Sequence, residues 1–298
     1  MQSQSQSPPS SSTLQHLNYI LSEHPLVVGF RWSHAQSWGA TWVFLFSSIS
    51  FYFAVAGTLH VLLLLFRHRT RPVPLGPIPA MHSLAMSVIS ATILAGTLTS
   101  TAAEIRDTRW LWGRNRTPIQ WLLCFPLGTR PSGRVFFWSY AFYLSRYLHI
   151  IRTFFTILRR RKLSLFHLFA NSIPMVMSFL WLEFSQSFQV LEIVFTAFTY
   201  SVVYGYRFWT ELGLPTASFP LVTNVQIFLL CLNLMGHFGV LFLQVWGGGC
   251  NGIGAWVFNS VINGAFLCMF LNSFVKMRWI RKKAMESRTT NGKLIKLH

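Results

Sequence analysis

A chain of 298 residues that is 52% hydrophobic and only 11% charged is no ordinary soluble domain, in which about 25% of residues carry charge; it reads as an integral membrane protein. The net charge of +18 would suit nucleic acid, but its placement excludes that partner: Arg and Lys stand in short runs at the ends of apolar segments, RHRTR at 67–71, RRRK at 159–162 and RWIRKK at 278–283, as in the cytoplasmic loops of membrane proteins. Four cysteines with no CxxC spacing exclude a disulfide scaffold and offer no metal site.

In chain order, residues 1–38 are expected to be a disordered and then interfacial approach, polar and low in complexity to residue 13, with Trp32 and Trp38 near the membrane surface. They hold no basic stretch followed by an apolar one, so no cleaved signal peptide is expected. A membrane helix needs about 20 apolar residues. Seven segments qualify, roughly 40–65, 79–102, 136–158, 165–184, 187–209, 220–246 and 253–279. The expected fold is therefore an all-α polytopic domain over 39–280, with a basic cytoplasmic tail over 281–298.

The first span stops at Pro72 and Pro74, inside a basic loop best placed in the cytoplasm. The second is rich in Ala, Ser, Thr and Gly, which lets helices approach closely. Parity then puts residues 103–135 on the lumenal side, although their six arginines strain the positive-inside rule. An even number of spans is the alternative topology. Asn115 opens an Asn-Arg-Thr sequon in that loop, with Pro118 after it lowering its efficiency. EFSQS (183–187) turns the chain between spans four and five, and GGGCNGIG (247–254) joins six and seven.

The chemistry-bearing residues gather between 144 and 209. Ionisable groups are costly in hydrocarbon, so they tend to face a bundle interior or a wet cavity. On the third span Arg146, His149 and Thr153 share one face, with Arg152 about 60° round from His149. The competing reading is an interhelical network, or arginines snorkelling to the interface. His167 and Asn171 lie one turn apart on the fourth span. Thr196, Tyr200, Tyr204 and Arg207 make a stripe on the fifth, where packing competes with function. Gln226, Asn233 and His237 follow on the sixth; Asn259, Asn263 and Asn272 on the seventh read as interhelical hydrogen bonds.

These runs resemble the ELO family of fatty-acid elongases. SRYLHIIRTFFTILRRRK (145–162) is similar to that family's S-K-x-x-E-x-x-D-T-x-F-x-x-L-R-K-K. LSLFHLFANS sits where the family has L-S-F-L-H-x-x-H-H, and LWLEFSQS resembles the plant branch's L-W-L-x-x-x-Q-S. TYSVVYGYRF matches V-H-x-x-M-Y-x-Y-Y-F in part, and LVTNVQIFLL resembles T-x-x-Q-I-x-Q-F. The resemblance covers roughly 60–280. Departures are Arg146, His149 and Arg152 at the motif's lysine, glutamate and aspartate, Ala170 and Asn171 at two histidines, Tyr200 at a third, and Leu229 at the second glutamine.

The resemblance implies a condensing enzyme of the endoplasmic-reticulum membrane, with the N-terminus lumenal and the C-terminus cytoplasmic. It would join acyl-CoA and malonyl-CoA as a 3-oxoacyl-CoA, needing neither metal nor dissociable cofactor. His167 is the first candidate base, with His149 next and Arg146 or Asn171 holding the enolate; Arg152 completes the catalytic set. Tyr200, Tyr204, Tyr206, Arg207 and Gln226 are candidate substrate-binding residues. Arg159, Arg160, Arg161 and Lys162, with Lys276 and Arg278, would meet the CoA phosphates. Arg146, His149, Arg152, His167, Asn171, Tyr204 and Gln226 are expected to line one cavity. The lumenal loops hold Cys124 and Cys250, whereas Cys231 and Cys268 fall within spans, and the resemblance points to a Cys124–Cys250 disulfide. Expected partners are the lipid bilayer, acyl-CoA, and other elongation-cycle enzymes or ELO homologues. The lost histidines favour a second reading, a protein that binds acyl-CoA and modulates an active elongase. A seven-helix receptor is a distant third, and too few clustered histidines exclude a di-iron desaturase.

Overall fold

The computed structural model describes residues 13–65, 74–108, 117–160, 165–214, 219–269, 271, 272, 275 and 279. Those residues are mostly helical; the one bridge outside helices is Arg31 to Ser132. Short helices α1 (Thr13–Asn18) and α2 (Pro25–Val28) flank a single π turn (Tyr19–Glu23). The long helices are α3 (Trp42–Leu65), α4 (Ile78–Thr108), α6 (Arg134–Leu158), α7 (Leu165–Glu183), α8 (Gln189–Glu211) and α9 (Phe219–Trp246), with a short α5 (Pro118–Leu123) between α4 and α6. A further apolar helix runs over Ile253–Met269. The chain divides into two compact units, residues 1–255 and 256–298.

By length and composition α3, α4 and α9 (from Val222) suffice to cross a bilayer. Helices α6 and α8 lie where the sequence reads third and fifth spans, but their polar arcs dilute the hydropathy. This is a polytopic all-α membrane protein. Pro174 sits inside α7, and Ser178 Oγ donates to its carbonyl at 2.7 Å, returning a partner to backbone that proline disturbs.

Helix α4 lies along α8 and crosses α6, and α6 also packs on α3 and α7. Small residues make the α4 contacts close: Ser83, Ser90, Gly96, Thr97 and Ser100 are all buried or lie in the seam. Gly96 is required there, since a Cβ would overlap the Trp138 indole. The sequence ends this span near residue 102, but α4 continues to Thr108. Charges fix the extra turns. Arg106 pairs with Glu23 and Asp107, and Arg134 with Glu23 and Asp107, at 2.6–3.1 Å.

The segment before α3 is docked on the bundle. Trp32 Nε1 donates to Glu183 at 3.0 Å, Trp138 Nε1 to the Leu21 carbonyl at 2.9 Å, and Tyr143 Oη to the Gly39 carbonyl at 2.9 Å. These bonds reach 100 residues or more along the chain, which no local pattern records. Residues 1–12, read as low-complexity, lie outside the described residues.

One end of the bundle is closed covalently. Cys124 and Cys250 are joined by a disulfide, with Cα atoms 5.0 Å apart. Beside it Asn251 ties three loops together. Its Nδ2 donates to the Phe184 and Ser185 carbonyls at 3.0 and 3.1 Å, and its Oδ1 accepts from Gly128 N–H at 3.1 Å. Cys231 and Cys268 are free and exposed.

Candidate functional site

The polar arc of α6 begins the site. On α6, Arg146 is 2% exposed. Its guanidinium carbon lies 4.0 Å from the Phe142 ring centroid and 4.6 Å from that of Tyr200. Its Nη2 donates to Ser145 Oγ at 2.9 Å and its Nε to the Phe142 carbonyl at 3.4 Å. Stacking on two rings recovers part of the cost of burying the cation.

One turn on, His149 Nδ1 and Tyr204 Oη are hydrogen-bonded at 2.7 Å. The imidazole packs on Tyr200 at 4.5 Å between ring centres. Its Nε2 is buried with no hydrogen-bond partner among the described residues. Arg207 lies 5.7 Å from the Tyr204 ring. The charges that bear on His149 are Arg146, His82, Arg152 and Arg207, all basic. Helix α4 contributes His82, whose Nε2 meets the Leu148 carbonyl at 3.1 Å and whose ring stands 6.3 Å from Tyr204.

A second group lies one turn further along α6. Thr153 Oγ1 accepts from Asn171 Nδ2 at 3.0 Å and shares a hydrogen bond with Tyr52 Oη at 2.9 Å. The arc therefore serves two neighbourhoods, His149 facing α8 and α4, Thr153 facing α3 and α7. Asn171 joins the second, so its amide is not beside the His149 imidazole. At the end of α6, Arg159 grips Glu211 with both Nη atoms, at 2.9 and 2.6 Å; that carboxylate holds the guanidinium above its usual pKa. Arg152, Arg160, Tyr206 and Gln226 are half-buried. The side chain of His167, and Arg161, Lys162, Asn115, Lys276 and Arg278, lie outside the described residues.

Towards the disulfide end the floor turns apolar. Phe142, which underlies Arg146, packs with Trp138, Trp181, Ile93, Ile193 and Ala197. Beyond that wall a buried pair spans α8 and α9, Glu192 Oε1 to His237 Nε2 at 3.3 Å, with Phe188 edge-on to the imidazole. Sequence reasoning picked out His237 but not its pairing with Glu192, and it passed over His82 and Tyr52. The signal for Tyr52 and His82 is weak: each is one polar tip in an apolar or Ser-rich run. Among the described residues no three of His, Cys, Asp or Glu converge as a metal ion would need.

The model of the ELO family, described as the GNS1/SUR4 family, matches residues 37–287. The chain belongs to the ELO family. It is 61% identical over 271 residues to a "Fatty acid elongase 3-like" protein of Arabidopsis thaliana, covering 90% of this chain and 94% of the relative. Two relatives from Dictyostelium discoideum are more distant. "Fatty acid elongase A" is 28% identical over 57% of this chain and 63% of its own length; "Fatty acid elongase sre1" is 21% identical over 70% and 74%. No solved structure matches this ELO-family chain. Membership places it with proteins of fatty-acid elongation.

Proposed function

We propose that this chain condenses acyl-CoA with malonyl-CoA in the endoplasmic-reticulum membrane, giving a 3-oxoacyl-CoA, carbon dioxide and CoA. The observation that carries the reading is His149, a buried imidazole fixed through Nδ1 by Tyr204 with its Nε2 unpartnered. An imidazole held at one nitrogen and open at the other is the geometry of an acyl acceptor or base. His167, first candidate by resemblance, is the second imidazole the reading admits.

With Nδ1–H donating to Tyr204, the Nε2 lone pair attacks the thioester carbon. An N–C bond forms, the C–S bond breaks, and the CoA thiolate takes the Nδ1 proton through the Tyr204 hydroxyl. Malonyl-CoA then loses carbon dioxide, and the pair of the broken C–C bond becomes an enolate. Arg146 donors stabilise that anion. The enolate carbon attacks the acyl carbon, the N–C bond breaks, and the imidazole recovers a proton from solvent. Arg152 and Arg207, with Arg159, Arg160, Arg161 and Lys162 at the basic end of α6, suit the CoA phosphates. The apolar wall beneath Phe142 suits the acyl chain. On this reading the basic end lies in the cytoplasm and the disulfide in the lumen.

A second reading, an acyl-CoA-binding modulator of an active elongase, rests on Ala170 and Asn171 in the histidine-box positions. Purified protein given a long-chain acyl-CoA and labelled malonyl-CoA separates the two. Malonyl-dependent 3-oxoacyl-CoA that disappears in His149→Ala supports condensation through His149. Product that survives His149→Ala but not His167→Ala moves the role to His167. Acyl-CoA binding without product supports the modulator.

A further inference from the structure

Arg146 is a buried cation without an anion. Among the described residues no carboxylate lies within ion-pair distance of it, and the charges around His149 are all basic. Of the two acids on α8, Glu192 pairs with His237 and Glu211 is held in both oxygens by Arg159. Guanidinium does not deprotonate in proteins, so the charge cannot be shed. Two ring faces offset only part of its desolvation. Its bonds to the Phe142 carbonyl and Ser145 Oγ use Nε and one Nη2 proton, Tyr200 is a third partner, and a guanidinium carries five N–H donors. Donors are thus left over, on a guanidinium that lies against the Tyr200 ring.

Depth says which anion. Arg146 and Arg159 are 13 residues apart on one helix, about 20 Å at 1.5 Å per residue. An extended phosphopantetheine arm is of that length. With CoA phosphates at the Arg159 end, what reaches Arg146 is the group on the thioester, not a phosphate.

Resting on the condensation reading, we propose that Arg146 reads the carboxylate of the malonyl group and so selects malonyl-CoA over acetyl-CoA. The guanidinium bridges that carboxylate and the thioester oxygen. When the C–C bond breaks and carbon dioxide leaves, the negative charge stays beneath the same cation as the enolate. The sequence replaces both acids of the third-span motif with His149 and Arg152, so α6 itself carries no carboxylate to compete.

The test is binding of malonyl-CoA and acetyl-CoA to the full chain in lipid nanodiscs, with no acyl partner present. A charge-assisted contact of this kind is worth tenfold or more in affinity, so malonyl-CoA should bind at least about tenfold tighter than acetyl-CoA. Arg146→Gln should erase the preference, the loss falling far more on malonyl-CoA than on acetyl-CoA. Arg146→Lys, which keeps the charge but not the fork, should retain part of it and serves if the Gln variant does not fold. Equal wild-type affinities, or a preference that survives both substitutions, would overturn the assignment. If neither CoA binds, the condensation reading itself fails. If free palmitate displaces malonyl-CoA while its methyl ester does not, and Arg146→Gln abolishes that competition, the site reads a fatty-acid carboxylate and the malonyl assignment is overturned.

Discussion

Replacing Cys124 and Cys250 with serine removes the covalent closure at one end of the bundle, across a sequence separation of 126. Loop-closure entropy for a ring of that size gives about 5 kcal/mol if the unfolded chain is free. It is not free in a membrane, where helices persist after tertiary contacts are lost. The expected loss is therefore about 2–4 kcal/mol. Asn251 softens it, since its bonds to Phe184, Ser185 and Gly128 still hold the three loops together. Unfolding in a graded series of SDS and mild detergent should show the variant melting at a lower SDS fraction, with Asn251→Ala deepening the shift. Mass-tagging with a maleimide polymer in full SDS gives an independent readout. Cys231 and Cys268 should take up two tags without reductant, and all four cysteines should be tagged after reduction. Four tags without reductant, or an unmoved midpoint, would refute the reasoning.

Gly96→Ala drives a methyl into the Trp138 indole and should cost about 1–3 kcal/mol by overpacking; paired with Trp138→Phe, the double variant should lose less than the sum of the singles. Glu211→Ala should cost well under about 1 kcal/mol, less still in high salt, because the Arg159 and Glu211 side chains remain 32% and 30% exposed. Arg134→Ala removes two carboxylate partnerships, to Glu23 and Asp107, and should speed proteolytic release of residues 13–41 with the helices after them intact.

Hydropathy alone was enough for α3, α4 and α9, because each is uniformly apolar over a bilayer's width. Helices α6 and α8 were legible through periodicity instead: Arg146, His149 and Thr153 share a face, and so do Tyr200, Tyr204 and Arg207; the structure sets Arg146 and His149 against Tyr200 and Tyr204, while Thr153 turns to Tyr52 and Asn171. Partnering across helices was not legible. Nothing local says that Asn171 bonds Thr153 rather than standing by His149, that His82 reaches Tyr204, or that Glu192 finds His237 some 45 residues on. The last turns of α4 were missed for the same reason, since Glu23 and Arg134 supply their partners from far along the chain. The docking of residues 13–41 depends on indole and phenol donors finding distant carbonyls, which composition reads only as interfacial.

The account turns on the buried imidazole of His149, bonded to Tyr204 at Nδ1 and unpartnered at Nε2 among the described residues. The most direct measurement is single-turnover reaction of purified protein with a long-chain acyl-CoA, followed for a protein-bound acyl group and then chased with labelled malonyl-CoA. The account predicts that wild type releases CoA, acquires the acyl group on the peptide containing His149, and yields 3-oxoacyl-CoA on the chase, while His149→Ala binds acyl-CoA and does neither. An acyl group on another residue, or full turnover by His149→Ala, would contradict it.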